Sequence, residues 1–273
     1  MYFDRVRAKE EAKHMIRTVR PSPLLVTFLF VLLTSGLSQL VGQFAANPFS
    51  AALPYLMQGY DPMSVYAYVF GGTAAIVGVF VSILLAFFSS IMSFGYRSYA
   101  LRLSRYQEGS LNDLIDGFGL AAKIIALDLL TLLFTTLWTM LFIIPGIIAS
   151  YRYSQAVYCL LDDPDISPME ALRRSKQLMR GEKFNLFVVQ MSFLGWVLPI
   201  TILVVVVQSI LAWAFGEASL LFIWIPAILM YVFDLWLTPY MEIVYAFFYN
   251  NLTGYGRNQE PRDTGYRGPE IQF

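Results

Sequence analysis

The sequence predicts an all-α, polytopic membrane bundle: about six transmembrane helices arranged in hairpins, with short cytoplasmic amphipathic helices and both termini in the cytoplasm. Three observations predict it. Of 273 residues, 57% are hydrophobic and 14% charged, with a mean hydropathy of +0.57, whereas soluble domains run nearer roughly 45–50% apolar and about 25% charged. The apolar excess is concentrated in blocks: Leu24–Leu33, Ala74–Phe88, Ile124–Ile144, Leu198–Ile210 and Leu220–Phe233. About 20 apolar residues in a helix, at about 1.5 Å each, match a hydrocarbon layer about 30 Å thick. Finally, the 19 basic residues fall into four groups, while the connections at 46–64 and 212–219 contain none.

Each element follows from that charge pattern, because Lys and Arg in short loops mark the cytoplasmic side. Six basic residues from Arg5 to Arg20 precede a first span at 24–45, read as a retained anchor rather than a cleaved signal. A second span at 65–94 leads to Arg97, Arg102, Arg105 and Lys123. The next basic group begins at Arg152, so two crossings, at 124–143 and 146–161, keep both groups on one side. A single helix over that stretch would be about 57 Å long. Pro145 and Gly146 are the expected turn, since Pro removes a backbone donor and Gly permits reversal. A re-entrant loop remains the alternative, given the short fourth span. Spans at 184–211 and 220–249 complete the set. The organisation is a basic segment at 1–23, a transmembrane domain at 24–250 and a tail at 251–273 read as disordered. Trp138, Trp213 and Trp224 are expected at the outer interface, and Gly195 beside Trp196 reads as a position of close helix packing or bending.

Two cytoplasmic segments echo each other. Each has a Tyr–Arg pair, an alanine, a polar turn, then Ser-x-x-acid: Ser110 with Asp113, and Ser167 with Glu170. That spacing marks a helix N-terminus, and Pro168 strengthens the second case. In "PMEALRRSKQLMRG" the apolar Met169, Leu172, Leu178 and Met179 separate from Arg173, Arg174, Lys176 and Arg180, with Gly181 at the C-terminus. A basic amphipathic helix at the headgroup level is expected, so those four cations are candidate lipid-headgroup contacts.

Several stretches together resemble one family. They are "IIPGIIASYRYSQAVYCLLDDPDISPMEALRRSKQLMRGEKFNLFVVQMSFLGW" and "LWLTPYMEIVYAFFYNNL", and the chain resembles the DUF975 family of bacterial integral membrane proteins over roughly residues 95–252. "MSFLGW" departs from the family's L-S-F-I-G-W, and a longer apolar insertion around "VVVVQSILAWAFGEASLLFIWIPAI" replaces a T-x-G-I-G stretch. The resemblance implies an integral membrane protein and assigns no activity.

Charges at membrane depth are the functional candidates. Asp128 lies within about 7–8 Å of Lys123 along a helix, close enough to reach the cytoplasmic edge. Asp234 lies near the middle of the sixth span, where Pro239 deprives the Leu235 carbonyl of its helical donor. A carboxylate beside a free carbonyl could hold a cation or proton. Glu242 is about two turns further on, and Gln190, Ser192, Thr201 and Gln208 could answer both acids across an interface. His14 is the only histidine and Cys159 the only cysteine, which excludes His- and Cys-rich metal sites and a disulfide framework. No cofactor or catalytic set is expected, and a net charge of zero argues for no nucleic-acid partner. The expected partners are the bilayer, with anionic headgroups on the cytoplasmic side, and a membrane-protein partner or second copy. The expected role is a non-enzymatic scaffold, regulator or partner subunit of envelope or transport machinery in the cell membrane. The alternative is a small transporter or lipid-handling protein using the acids of the sixth span.

Overall fold

The computed structural model describes residues 3–38, 55–65, 73–216 and 224–255, and every longer element in it is helical. The N-terminal helix α1 (Arg5–Thr18) is capped by Asp4, whose carboxylate accepts from the N–H groups of Val6 and Arg7. It meets α2 (Pro23–Val31), which starts on a proline and ends in a π turn over Leu32–Gly36, at a bend of 86°. The longest elements are α3 (Thr73–Ser104, 32 residues), α9 (Lys183–Phe215, 33 residues) and α10 (Trp224–Thr253, 30 residues). Between α3 and α9 lie α4 (Asp113–Asp116), a 3-10 turn over Gly117–Leu120, α5 (Ala121–Leu141), α6 (Ile143–Tyr153), α7 (Ala156–Asp162) and α8 (Pro168–Leu178).

Three of the described helical stretches are long and apolar enough to cross a membrane: Ile76–Ser104, Asp113–Leu141 and Lys183–Phe215. Counting the bent pair of α1 and α2 as one makes four. The expectation of six spans is therefore corrected, and the reason is local. The stretch expected as a fourth span is broken at Ser154 and Gln155 into helices of 11 and 7 residues, about 16 Å and 10 Å long. The sixth, within α10, is diluted by Asp234, Pro239, Tyr240 and Glu242. Of the expected first and second spans, 39–45 and 66–72 lie outside the described residues, as do 217–223 and, in the tail, 256–273.

The turn between α5 and α6 is at Phe142 rather than at Pro145–Gly146. Phe142 is extended (φ −159°, ψ 148°), donates its N–H to Trp138 O and accepts from Gly146 N–H at 3.2 Å. Pro145 falls in the first turn of α6, where a missing N–H breaks no helical bond. Gly146 has a separate role: a Cβ there would lie 2.8 Å from Thr139 Cα, so its absence lets α6 close against α5. A Cβ at Gly195 would meet nothing within 4 Å from another segment among the described residues, which corrects the close-packing expectation.

The core sits at one end of the molecule. Buried residues come from α1 (Ala12, Met15), the end of α3 (Met92, Tyr99, Leu103), the start of α5 (Ile124, Leu127), α7, α8, the start of α9 (Leu186, Phe193) and the end of α10 (Tyr240, Val244, Phe248). Together they form a packed base. The other halves of α3, α5, α9 and α10 carry exposed apolar side chains, such as Phe80, Leu132, Ile202 and Val232. None of the apolar window of α9 is buried, and Trp213 near its end is 89% exposed.

Candidate functional site

The polar side chains of the apolar helices gather where the packed base meets the apolar halves. Arg97 of α3 lies 3.7 Å from Glu242 of α10, and the buried Tyr158 of α7 donates its hydroxyl to the same Glu242 oxygen at 3.4 Å. Asp128 accepts from Ser90 of α3 and lies within electrostatic range of Arg97. Beside them Tyr151 of α6 donates to Gln190 of α9 at 2.6 Å. Six helices are thereby tied by polar contacts at one junction: α3, α5, α6, α7, α9 and α10.

This arrangement reassigns the sequence candidates. Lys123 does not pair with Asp128; its ammonium donates to Pro164 O at 2.6 Å, one turn nearer the base. Glu242 is held by Arg97 and Tyr158, not by α9. Ser192 and Thr201 bond carbonyls of their own helix, at Val189 and Val197. Asp234 has no hydrogen bond or ion pair among the described residues and is half-buried on α10.

Below the junction lies a hub absent from the sequence reading. Arg105 makes a two-pronged contact with Asp162 at 2.6 and 3.0 Å and donates through Nε to Asn250 at 3.0 Å. Tyr249 donates to Asp162 at 2.8 Å, and Asn250 donates to Ser104 Oγ at 2.9 Å. The Arg105 side chain is 13% exposed, so this fork works in a partly desolvated setting where planar guanidinium geometry matters. The signal in the sequence was the Tyr249–Asn250 pair inside "AFFYNNL". A cleft of about 440 Å³ opens beside the hub, lined by Cys159, Asp162, Arg174, Gln177, Leu178, Tyr249 and Thr253.

Of the four candidate headgroup cations on and just after α8, Arg173 pairs with Glu170, and Arg174 pairs with Asp163 at 2.9 Å and Glu170 at 3.3 Å. Hydrogen bonding to Asp163 and then Glu170 holds the Arg174 guanidinium above the usual arginine range. Lys176 and Arg180 are exposed. Leu172 and Met179 on the opposite face are buried in the base. Ser167 caps α8 through the Glu170 N–H, as its spacing predicts, and Gly181 follows it at a φ of +87°. At the other echo Asp113 reaches back to the Ser110 N–H at 2.9 Å and is buried against Arg102 at 2.7 Å. Ser175 of α8 also mends the break between α6 and α7: it donates to Arg152 O and accepts from Gln155 N–H.

On α1, the Lys9 ammonium lies 4.7 Å from the centre of the Phe193 ring and that of Lys13 lies 5.7 Å from Tyr240. Burial, together with Lys13 and Arg5, pushes Lys9 below the usual lysine range.

The fold and junction define an all-helical chain with a charged, packed base and long apolar helices that could cross a membrane. Residues 140–255, from the α5–α6 turn through α10, match the family described as a protein of unknown function, DUF975. No curated protein and no solved structure matches the chain.

Proposed function

We propose that the protein is a non-enzymatic membrane scaffold or partner subunit: its apolar helix halves lie in the cell membrane and its base presents a rigid charged platform on the cytoplasmic side. The observation that carries this reading is that the charges at the junction hold helices together. Glu242 and Asp128 each engage a neighbouring helix, which is how polar groups join membrane helices. Lys176 on α8 and Arg180 just after it, both exposed, support the cytoplasmic placement and contact with anionic headgroups.

Asp234 favours a second reading, a small transporter, because it alone of the three acids has no partner among the described residues. One experiment separates the two. Purified protein in sealed vesicles is tested for proton and alkali-cation flux. On the scaffold reading, wild type and Asp234→Asn both leak no faster than protein-free vesicles. A flux carried by wild type and lost in Asp234→Asn overturns the scaffold reading in favour of transport.

A further inference from the structure

The apolar surface of the α5–α6 hairpin is continuous at its tip. Met140, Phe142, Ile143 and Ile144 are each at least 70% exposed, and Leu141, Ile147 and Ile148 extend the same surface down both arms. No charged residue occurs between Asp128 on the way out and Arg152 on the way back. Phe142 is fourteen residues from Asp128, about 21 Å, and ten from Arg152, about 15 Å. On α9 the largely exposed apolar run from Leu194 to Phe215 covers 22 residues, about 33 Å, enough for the whole hydrocarbon layer.

From this geometry we infer that the hairpin is a half-membrane wedge, whose tip ends inside the hydrocarbon layer and is covered by lipid acyl chains. On the way back α6 is only 11 residues, about 16 Å, and in the stretch Asp113–Leu141, which is long enough to cross, the part before Asp128 belongs to the base. There Asp113 and Asp116 pair with Arg102, Leu114, Ile124 and Leu127 join the core, and Lys123 bonds Pro164 O. With the tip at the far face of a layer about 30 Å thick, the Arg152 backbone would sit about midway and Asp128 about 9 Å inside the near face. Arg152 has no carboxylate partner among the described residues; its guanidinium stacks 5.7 Å from the Trp138 ring. A wedge that stops short brings Asp128 and the Arg152 backbone to the level of the near headgroups.

The turn is also built for an apolar medium. One residue makes the reversal, both backbone groups of Phe142 are paired, and Pro145 removes one of the N–H groups that a helix start leaves open. Thr139 satisfies its hydroxyl on Thr135 O at 2.8 Å.

The inference rests on the membrane reading, so its test carries a control for that reading. In a Cys159→Ala background, spin labels are placed at Phe142→Cys, Ile144→Cys, Ile202→Cys on α9 and Lys176→Cys on α8. The proteins are reconstituted in vesicles of phosphatidylcholine with phosphatidylglycerol. Collisional relaxation by oxygen, which partitions into lipid, is compared with that by a water-soluble nickel chelate. The expected result is that oxygen dominates at 142, 144 and 202 and the nickel chelate at 176. Nickel dominating at 142 and 144, with oxygen still dominating at 202, overturns the wedge in favour of a full hairpin. Low accessibility to both at 142 and 144 overturns lipid coverage in favour of a second copy or partner. Nickel dominating at 202 overturns the membrane reading itself.

Discussion

Gly146→Ala tests the closure of α5 on α6. The added Cβ would press directly on Thr139 Oγ1 and lie 2.8 Å from both the α and β carbons of Thr139. Rotating the threonine clears only the hydroxyl, and breaks its bond to Thr135 O at a cost of about 1 kcal/mol. The clash with the threonine backbone is relieved only if the helices move apart, and overpacking of this kind costs about 1–3 kcal/mol. The sum, roughly 2–4 kcal/mol, corresponds to a fall in Tm of roughly 5–10 °C at the usual slope for chains near this size. The assay is thermal unfolding in detergent followed by far-ultraviolet circular dichroism. Gly195→Ala supplies a control of opposite sign: its Cβ meets nothing within 4 Å, and alanine in a helix interior is favoured over glycine by about 0.5–1 kcal/mol. A Gly146→Ala protein as stable as Gly195→Ala would refute the close approach of the two helices at Thr139.

The other two predictions concern the polar contacts. Arg105→Lys keeps the charge but loses the fork on Asp162 and the Nε bond to Asn250, so stability should fall by about 1–3 kcal/mol; Arg173→Lys, 70% exposed, should change little. Equal melting temperatures for the two variants would remove Arg105 as a hub. A double-mutant cycle over Arg97→Gln and Glu242→Gln should give a coupling of about 1 kcal/mol, kept modest by partial exposure and a 3.7 Å separation. A coupling indistinguishable from zero would dissolve the junction as a structural tie.

The helical class and the apolar blocks were legible because hydropathy is a property of the residues themselves. Ile124–Ile144, for instance, ends within the first turn of α6. The turn was misplaced by three residues because Pro–Gly has two uses. It can reverse a chain, or, as here, a proline can open a helix and a glycine admit a neighbour. The count of spans failed for a related reason. Charge counting treats each Lys and Arg as a loop marker, yet Arg97 and Arg102 lie within α3, Arg105 directly follows it, and all three hold acids of other segments. Their charge is consistent with a base of packed helices as much as with a further crossing. The same ambiguity governs α8. A stripe of Met and Leu opposite a stripe of Arg and Lys forms whether the apolar side meets lipid or protein, and periodicity carries no sign of which. Only tertiary packing separates the cases, and it puts Leu172 and Met179 inside the base. Asp234 lies at the opposite limit. Its isolation could not be read from spacing, because Gln190, which spacing offered as a partner, is bonded to Tyr151 instead. What leaves Asp234 open is competition among polar side chains for one another, a property of the whole bundle rather than of α10.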